Sequence, residues 1–190
     1  MTKEKIDKRV IKTKEEIYDG LLKMLEKKAF EEIKVSEICN VAKINRTTFY
    51  SHFKDKYDLF DTFLKDIQNK LSEEIKKKDD IHNLKSYYME VIKIILDHIE
   101  EEREVYKTIM IHNRYSIVLD MIQNTAISEI TEHMKNSAEG QTAEIPFEFT
   151  ASFYLGAVAN ISVDWILNQT KYSSEKIYKY IDLLIPNELK

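Results

Sequence analysis

Side chains that can recognise nucleic acid are concentrated in one short segment of the chain. Arg46 can form two hydrogen bonds with the edge of a guanine, and Thr47 can contact a base edge or a thymine methyl group. The side chains of Thr48, Tyr50 and His52 can donate hydrogen bonds to phosphate oxygens. These residue types in one segment predict recognition of a nucleic acid. The sequence contains no nucleophile motif, phosphate-binding loop or other catalytic motif.

Two short helices joined by a tight turn are predicted to position these side chains. Apolar residues recur at helical spacing over residues 35–42, and Asn45 is a good N-cap for a second helix over residues 46–53. Phe49 and Phe53 are one turn apart on that second helix, so both should pack inward. The outer face of the helix then carries Arg46, Thr47, Tyr50 and Ser51.

The sequence of this segment resembles the DNA-binding signature of the TetR/AcrR transcriptional regulators. The similarity rests on the run VSEICNVAKINRTTFYSHFKDKYDL, residues 35–59, and above all on the spacing Tyr50-x-His52-Phe53-x-x-Lys56. It covers about residues 10–60, and Lys56 is expected to direct its charge toward the DNA backbone. The expected DNA-contacting residues are Val35, Ser36, Arg46, Thr47, Thr48, Tyr50, Ser51, His52 and Lys56.

Structural roles remain open for some of these residues. Tyr50 could be a half-buried ring, and His52 could bond to the backbone near a helix end. Two positions depart from the family pattern: Lys43 occupies a turn position where the family usually has glycine, and Thr47 replaces a residue that is often smaller. A left-handed conformation at Lys43 would cost about 1 kcal/mol.

The overall charge hides an asymmetry along the chain. The 190 residues carry 29 Lys and Arg against 33 Asp and Glu, a net charge of −4. Residues 1–56 hold 14 basic and 10 acidic side chains, whereas residues 57–190 hold 15 and 23. A basic amino-terminal third is what a DNA-binding region would show, although chance clustering of surface charge is the alternative.

Composition favours an all-α fold of about nine helices. The chain has only three glycines and two prolines, too few for the turns of a β-sheet protein. The single Cys39 excludes a disulfide framework, and no segment resembles a membrane span or a leader, so a cytoplasmic protein is expected. No cofactor or metal site is expected either, because the histidines lack paired ligand spacing.

Three regions are predicted: a flexible basic amino terminus (1–9), a three-helix helix-turn-helix domain (10–60, with the motif at about 33–53) and a helical carboxy-terminal domain (61–190). The resemblance implies that the last domain dimerises and senses an effector. Residues proposed for a dimer surface are Phe149, Phe153, Gly156, Ala157, Asn160, Ile177 and Ile181, although packing within one subunit would explain the same pattern. Residues proposed for a ligand pocket, for which ordinary core packing is the alternative, are Tyr88, His98, Tyr106, Met110, His112, Phe153 and Trp165.

The predicted function is that of a sequence-specific regulator of transcription and not of an enzyme. Its partners would be an inverted-repeat operator in double-stranded DNA, a second copy of the chain and a small-molecule effector that releases a repressor. The alternative is a related regulator or co-activator whose carboxy-terminal domain binds another protein instead of a metabolite.

Overall fold

The structure is a computed structural model that describes residues 8–75, 84–135, 145–168 and 172–185. Within these ranges the chain forms nine α-helices and a single-turn 3₁₀ helix, here η1, with no β-strand, which confirms the predicted all-α class. The elements in chain order are α1 (Lys8–Leu25), η1 (Phe30–Glu32), α2 (Val35–Ala42), α3 (Arg46–His52), α4 (Lys56–Ile75), α5 (Leu84–Glu101), α6 (Arg103–Asn113), α7 (Ile117–Lys135), α8 (Phe147–Leu167) and α9 (Ser174–Leu184).

The elements α1, η1, α2 and α3 form a small helical unit, called the head below. Its centre is apolar, with Leu21, Phe30 and Phe49 fully buried. The helices α1 and α2 approach closely at Gly20, where an added Cβ would lie 3.0 Å from the backbone oxygen of Ile38. A side chain at this crossing would therefore require α1 and α2 to move apart by a few tenths of an ångström.

The long helix α4 connects the head with the rest of the molecule. Asp55 caps its first turn, since the Oδ1 atom accepts the backbone N–H groups of Tyr57 at 2.8 Å and Asp58 at 2.9 Å. Further along, Asp66 accepts a hydrogen bond from the hydroxyl of Tyr18 at 2.8 Å and forms an ion pair with Lys14 at 2.7 Å. Both contacts bind α4 to α1. The predicted domain boundary at residue 60 falls inside this continuous helix.

Helices α5–α9 form a second unit, called the body below. Within it α7 packs against α8, α5 against α9, and α6 against α8. Trp165 is almost fully buried at the centre of these contacts, and its indole N–H donates to the backbone oxygen of Tyr172 at 2.8 Å. The side chains that face α5 from α9 include Ile177 and Ile181, both buried.

Several predicted boundaries can be compared with the structure. The first helix begins at Lys8, so residues 8 and 9 belong to α1 and not to a flexible terminus as predicted. Residues 1–7 of the predicted flexible terminus lie outside the described residues. In the described part of the chain, no helix combines the length and the apolar character that crossing a membrane requires.

Candidate nucleic-acid interface

The turn between α2 and α3 is built around Lys43. This residue adopts the left-handed conformation, with φ 57° and ψ 37°, at the position after the end of α2. The amide of Ile44 bonds to the oxygen of Cys39 at 3.0 Å and that of Lys43 to Asn40 at 3.3 Å, the pattern of a Schellman motif. Lys43 therefore adopts the left-handed conformation of the turn although it carries a side chain.

Side chains cap the amino-terminal ends of both helices of the motif. Asn45 Oδ1 accepts the backbone N–H of Thr48 at 2.7 Å, which confirms the predicted N-cap of α3. At the start of α2, Glu37 accepts the backbone N–H of Lys34 at 2.9 Å and an ion pair from Lys28 at 2.7 Å. The hydrogen bond from Lys28, followed by that from the Lys34 backbone, lowers the pKa of the Glu37 carboxyl. These contacts set the start of each helix.

The outer face of α3 carries the side chains expected to read DNA. Arg46, Thr47, Tyr50 and Ser51 are exposed, while Phe49 is fully buried beneath them. The ring of Tyr50 packs edge-to-face against Phe49, with ring centroids 5.4 Å apart, and remains 56% exposed. A hydroxyl held on a rigid ring is thus presented to solvent beside a guanidinium, the combination that phosphate and guanine recognition needs.

Other residues of the expected set have contacts within the head. The hydroxyl of Thr48 donates to Asn45 Oδ1 at 2.9 Å, and that of Ser51 donates to the oxygen of Thr48 at 2.7 Å. Each hydroxyl oxygen can still accept a hydrogen bond, but its proton is already used. Val35 packs partly against the core, and Ser36 and His52 are half-buried.

Lys56 is the clear exception among the expected DNA contacts. Its Nζ donates to three backbone oxygens at the end of η1, those of Phe30 at 2.8 Å, Glu31 at 2.7 Å and Ile33 at 2.9 Å. Burial lowers the pKa of this ammonium, an effect that the charge of Glu31 partly offsets. All three protons are used inside the head, so the expectation that Lys56 directs its charge toward phosphate is wrong in this structure.

Sequence reasoning missed cations that flank α3. Lys43 in the turn and Lys54 after the helix are exposed, and Lys34 is exposed just before α2. Their positions within the motif, together with their charge, were the available signal. The family pattern, which usually has glycine at the position of Lys43 and contains Lys56, does not point to these lysines.

The body contains a cavity of about 160 Å³ between α5, α7 and α8, which Ile185 also lines. Its lining is mainly apolar, with hydroxyl groups at Thr150, Tyr154 and Ser162. Of the residues predicted for a ligand pocket, Tyr88 lines this cavity. The ammonium of Lys85 at its edge pairs with Asp182 at 2.9 Å.

The other predicted pocket residues lie elsewhere. Trp165 is core, Phe153 is 71% exposed on the surface of α8, and His98 is exposed beside the half-buried Tyr106, with ring centroids 5.7 Å apart. Met110 and His112 line an open depression of about 380 Å³ where the end of α6 meets η1. These residues do not join Tyr88 in the cavity between α5, α7 and α8. An aromatic or sulfur-containing side chain at helical spacing packs equally well in a core or on a surface, so its spacing alone does not place it in a cavity.

One face of α8 is uncovered although the helix is apolar nearly all round. Phe149 is 72% exposed, Ala157 and Asn160 are exposed, and a Cβ added at Gly156 would meet no atom within 4 Å. In α9, Leu183 is 82% exposed and Leu184 is 70% exposed. The expectation that Ile177 and Ile181 belong to a dimer surface is wrong, because both face α5 inside the subunit.

The sequence matches two family models. Residues 17–62 match the one described as bacterial regulatory proteins, tetR family, and residues 88–187 match a transcriptional regulator C-terminal region of the TetR group. No match is found among curated proteins.

Solved structures with a similar fold include a TetR transcriptional regulator from Streptococcus agalactiae 2603V, with a TM-score of 0.59 and 20% identity over 95% of this chain and 97% of that one. The dihydroxyacetone kinase operon activator DhaS has a TM-score of 0.54 and 20% identity, with 90% and 93% covered. The transcriptional regulator FadR from Bacillus subtilis, in complex with stearoyl-CoA, has a TM-score of 0.58 and 16% identity, with 93% and 99% covered. At these identities the likeness is one of fold.

Proposed function

The chain belongs to the TetR family of DNA-binding transcriptional regulators, and from that premise we propose that it is a homodimeric repressor that binds an inverted-repeat operator and is released by a small-molecule effector. The observation that carries the proposal is the outer face of α3, where Arg46, Thr47 and Tyr50 are exposed on a capped helix whose inward residue, Phe49, is fully buried. Such a protein acts where the chromosome is, in the cytoplasm, and needs no catalytic step.

Arg46 and Tyr50 are assigned different tasks on the operator. Arg46 lies in the first turn of α3, the end that enters the major groove in helix-turn-helix proteins, and its guanidinium can pair with guanine. Tyr50 lies one turn later, where its hydroxyl can donate to phosphate. Thr47 lies beside Arg46 and can contact the neighbouring base. Base choice therefore depends on Arg46 and Thr47, and affinity for any sequence depends on Tyr50.

A second copy of the chain is the proposed occupant of the uncovered face of α8. Phe149 and Phe153 are more than two-thirds exposed, and Gly156 leaves room for close approach of another helix. Large exposed apolar side chains on one face are typical of association surfaces. The end of α9 also exposes two leucines, Leu183 and Leu184. Dimerisation also supplies the second recognition helix that specific binding requires.

The cavity between α5, α7 and α8 is the proposed effector site. Its volume of about 160 Å³ suits a small, mainly apolar molecule that has one group able to bond to Tyr154 or Ser162. Stearoyl-CoA belongs to the FadR structure, and a molecule of that size has no room in this cavity as it stands.

Recognition of a protein partner by the body is the second candidate. It is favoured by the end of α6, where Ile111 is 61% exposed, and by the turn after it, where Tyr115 is 93% exposed. An apolar side chain exposed to that extent is more useful for binding a protein than for stabilising a monomer. In this case the chain would act with its partner on the same operator.

Operator binding by substituted proteins tests the proposal. The operator would first be selected from random double-stranded DNA, and affinities would then be measured by fluorescence anisotropy on the selected site and on its single-base variants. Arg46→Ala should lose roughly 5- to 100-fold on the selected site and little on sites altered at one particular base pair. Arg46→Lys keeps the charge but not the two-pronged geometry, so it should lose the same base preference.

Tyr50→Ala should weaken binding to every site by a similar factor, and Tyr50→Phe, which keeps the ring, should reproduce the loss of the hydroxyl alone. Selection that yields no inverted repeat would contradict the dimeric proposal. Equal losses for Arg46→Ala on every operator variant would contradict the assignment of base reading to that residue.

A further inference from the structure

Asn113, the last residue of α6, is fully buried and bonds the body to the head. Its Oδ1 accepts the backbone N–H of Phe30, the first residue of η1, at 2.9 Å. Its Nδ2 donates its two protons to the oxygen of Leu25, the last residue of α1, and to that of Ile109 in its own helix, both at 3.0 Å, and the oxygen of Lys28 lies 3.4 Å from the same nitrogen. One body side chain thus satisfies backbone groups on both sides of the connection between α1 and η1.

A second bond joins the two units at the same place. Glu31 of η1 accepts the backbone N–H of Ile117, the first residue of α7, at 2.8 Å. Its carboxylate therefore caps the positive end of the α7 dipole, which strengthens the bond. The contact runs in the opposite direction from that of Asn113: here a head side chain bonds to body backbone.

The 3₁₀ helix η1 is in turn connected to the recognition helix. Lys56 binds three backbone oxygens of the segment from Phe30 to Ile33, and Lys56 is the first residue of α4, four residues after the end of α3. A displacement of η1 must therefore carry the α3–α4 connection with it or break these bonds. Since hydrogen bonds to an ammonium are strong, displacement of both together is favoured.

On the body side, α6 is bound to α8. Arg114 forms an ion pair with Asp164 at 2.9 Å, and Arg103 donates to the backbone oxygen of Trp165 while its guanidinium lies 4.7 Å from the centre of that ring. A continuous series of bonded elements thus runs from α8, the proposed dimer helix, through α6 and η1 to α3.

We propose that Asn113 and Glu31 are positioning residues: they hold each head in a fixed orientation relative to α8 and so set the distance between the two recognition helices of the dimer. The inference rests on the proposed dimeric function and assigns to these two residues the choice of half-site spacing, with no contact to DNA.

Half-site spacing is the property to measure. Each inserted base pair moves one half-site by about 3.4 Å and rotates it by about 35°, which a rigidly held pair of heads cannot follow. The wild-type dimer should therefore lose roughly 10-fold or more in affinity when one base pair is added to or removed from the centre of its operator. Glu31→Ala should reduce that penalty to about 3-fold or less, because the bond to Ile117 is lost and the head can reorient.

Two matched variants separate positioning from other effects. Glu31→Gln keeps an acceptor for the Ile117 N–H and should restore most of the spacing preference. Glu32→Ala removes the same charge from the neighbouring exposed position of η1 and should leave the preference at the wild-type level. Asn113→Ala should relax the spacing preference further. Base preference at the position read by Arg46 should be unchanged in all four, since no DNA contact is altered.

The outcomes distinguish the two levels of the argument. A wild-type protein that binds single half-sites as well as inverted repeats overturns the dimeric function and this inference with it. A wild-type spacing preference that survives unchanged in Glu31→Ala and in a folded Asn113→Ala overturns the inference alone. If Asn113→Ala does not fold, as judged by its thermal unfolding, the comparison of Glu31→Ala with Glu31→Gln decides.

Discussion

Replacing Lys56 with methionine is the perturbation that separates a structural from a DNA-binding role at the end of the Tyr-x-His-Phe-x-x-Lys motif. Methionine keeps the length and apolar stem of the side chain but donates no hydrogen bond. In the structure the Nζ atom donates to the oxygens of Phe30, Glu31 and Ile33 at 2.7–2.9 Å. The ammonium also lies 5.0 Å from the centre of the Phe30 ring and 5.4 Å from that of Tyr57.

The expected loss of stability follows from these contacts. A hydrogen bond to a charged group contributes about 1.5–3 kcal/mol, so three would contribute up to about 5–9 kcal/mol. Two effects reduce this sum: burial of the ammonium costs free energy, as its lowered pKa indicates, and water can reach the oxygen of Glu31 once Nζ is gone. We therefore expect Lys56→Met to lower the free energy of unfolding by about 3 kcal/mol and the melting temperature by about 6–12 °C.

Thermal and urea unfolding at one fixed protein concentration measure this loss, and Lys54→Met is the control. Lys54 is exposed two residues earlier, and its structural bond to Asp58 uses the backbone N–H, so its side chain is dispensable for the fold. The salt dependence of operator binding completes the comparison. Removing a phosphate contact lowers the slope of log K against log salt by about 0.9 per site. A Lys56→Met protein that melts like wild type but shows this lower slope would refute the structural role.

Three further predictions concern the scaffold. Gly20→Ala should lower the free energy of unfolding by about 1–3 kcal/mol, because the new methyl group meets a backbone oxygen of α2 at 3.0 Å; a urea midpoint at or above that of wild type would contradict the close crossing. Lys43→Gly should raise the free energy of unfolding by about 1 kcal/mol, because φ is 57° at this position. Lys43→Ala should bring no gain in the same urea titration. Burial raises the pKa of Asp66, but hydrogen bonds from Lys14 and Tyr18 outweigh this and leave the pKa below the usual value of an aspartate. The Asp66 carboxylate therefore stabilises the fold fully above about pH 5, and this contribution is lost as the pH falls through the lowered pKa. The difference in the free energy of unfolding between wild type and Asp66→Asn, measured by urea unfolding, should shrink between about pH 5 and pH 2.

Local features of the fold could be predicted from the sequence because their causes are local. The cap at Asn45 accepts an N–H three residues away, and Asp55 accepts N–H groups two and three residues away. The inward faces of Phe49 and Phe53 follow from their spacing on one helix, and both are buried. In each case the residues that interact are near neighbours in the chain, so helical geometry alone sets their distance.

Features that depend on distant segments could not be predicted in this way. Lys56 bonds to residues 23–26 positions away, and Asn113 bonds to residues more than 80 positions away. Nothing local distinguishes Lys56 in its observed role from a lysine that faces phosphate, or Asn113 from a surface asparagine. The same difficulty explains Ile177 and Ile181: an apolar stripe shows that one face of α9 is covered, but not whether the subunit itself or a second copy covers it.

Some of the positively charged side chains of the head are bound within the protein, and others remain exposed. Lys14 pairs with Asp66, Lys28 pairs with Glu37, and Lys56 is bound to backbone oxygens, so these cations of the first 56 residues are engaged within the protein. The positive charge that is free to attract DNA is therefore smaller than the composition of residues 1–56 suggests, and the long-range attraction is weaker. Exposed cations that remain, such as Lys43 and Arg46, flank or lie on the recognition helix itself. It follows that binding must depend more on the fit of α3 to the groove than on a general attraction to polyanions, and a regulator of this kind gains from a head whose orientation is held firmly by the body.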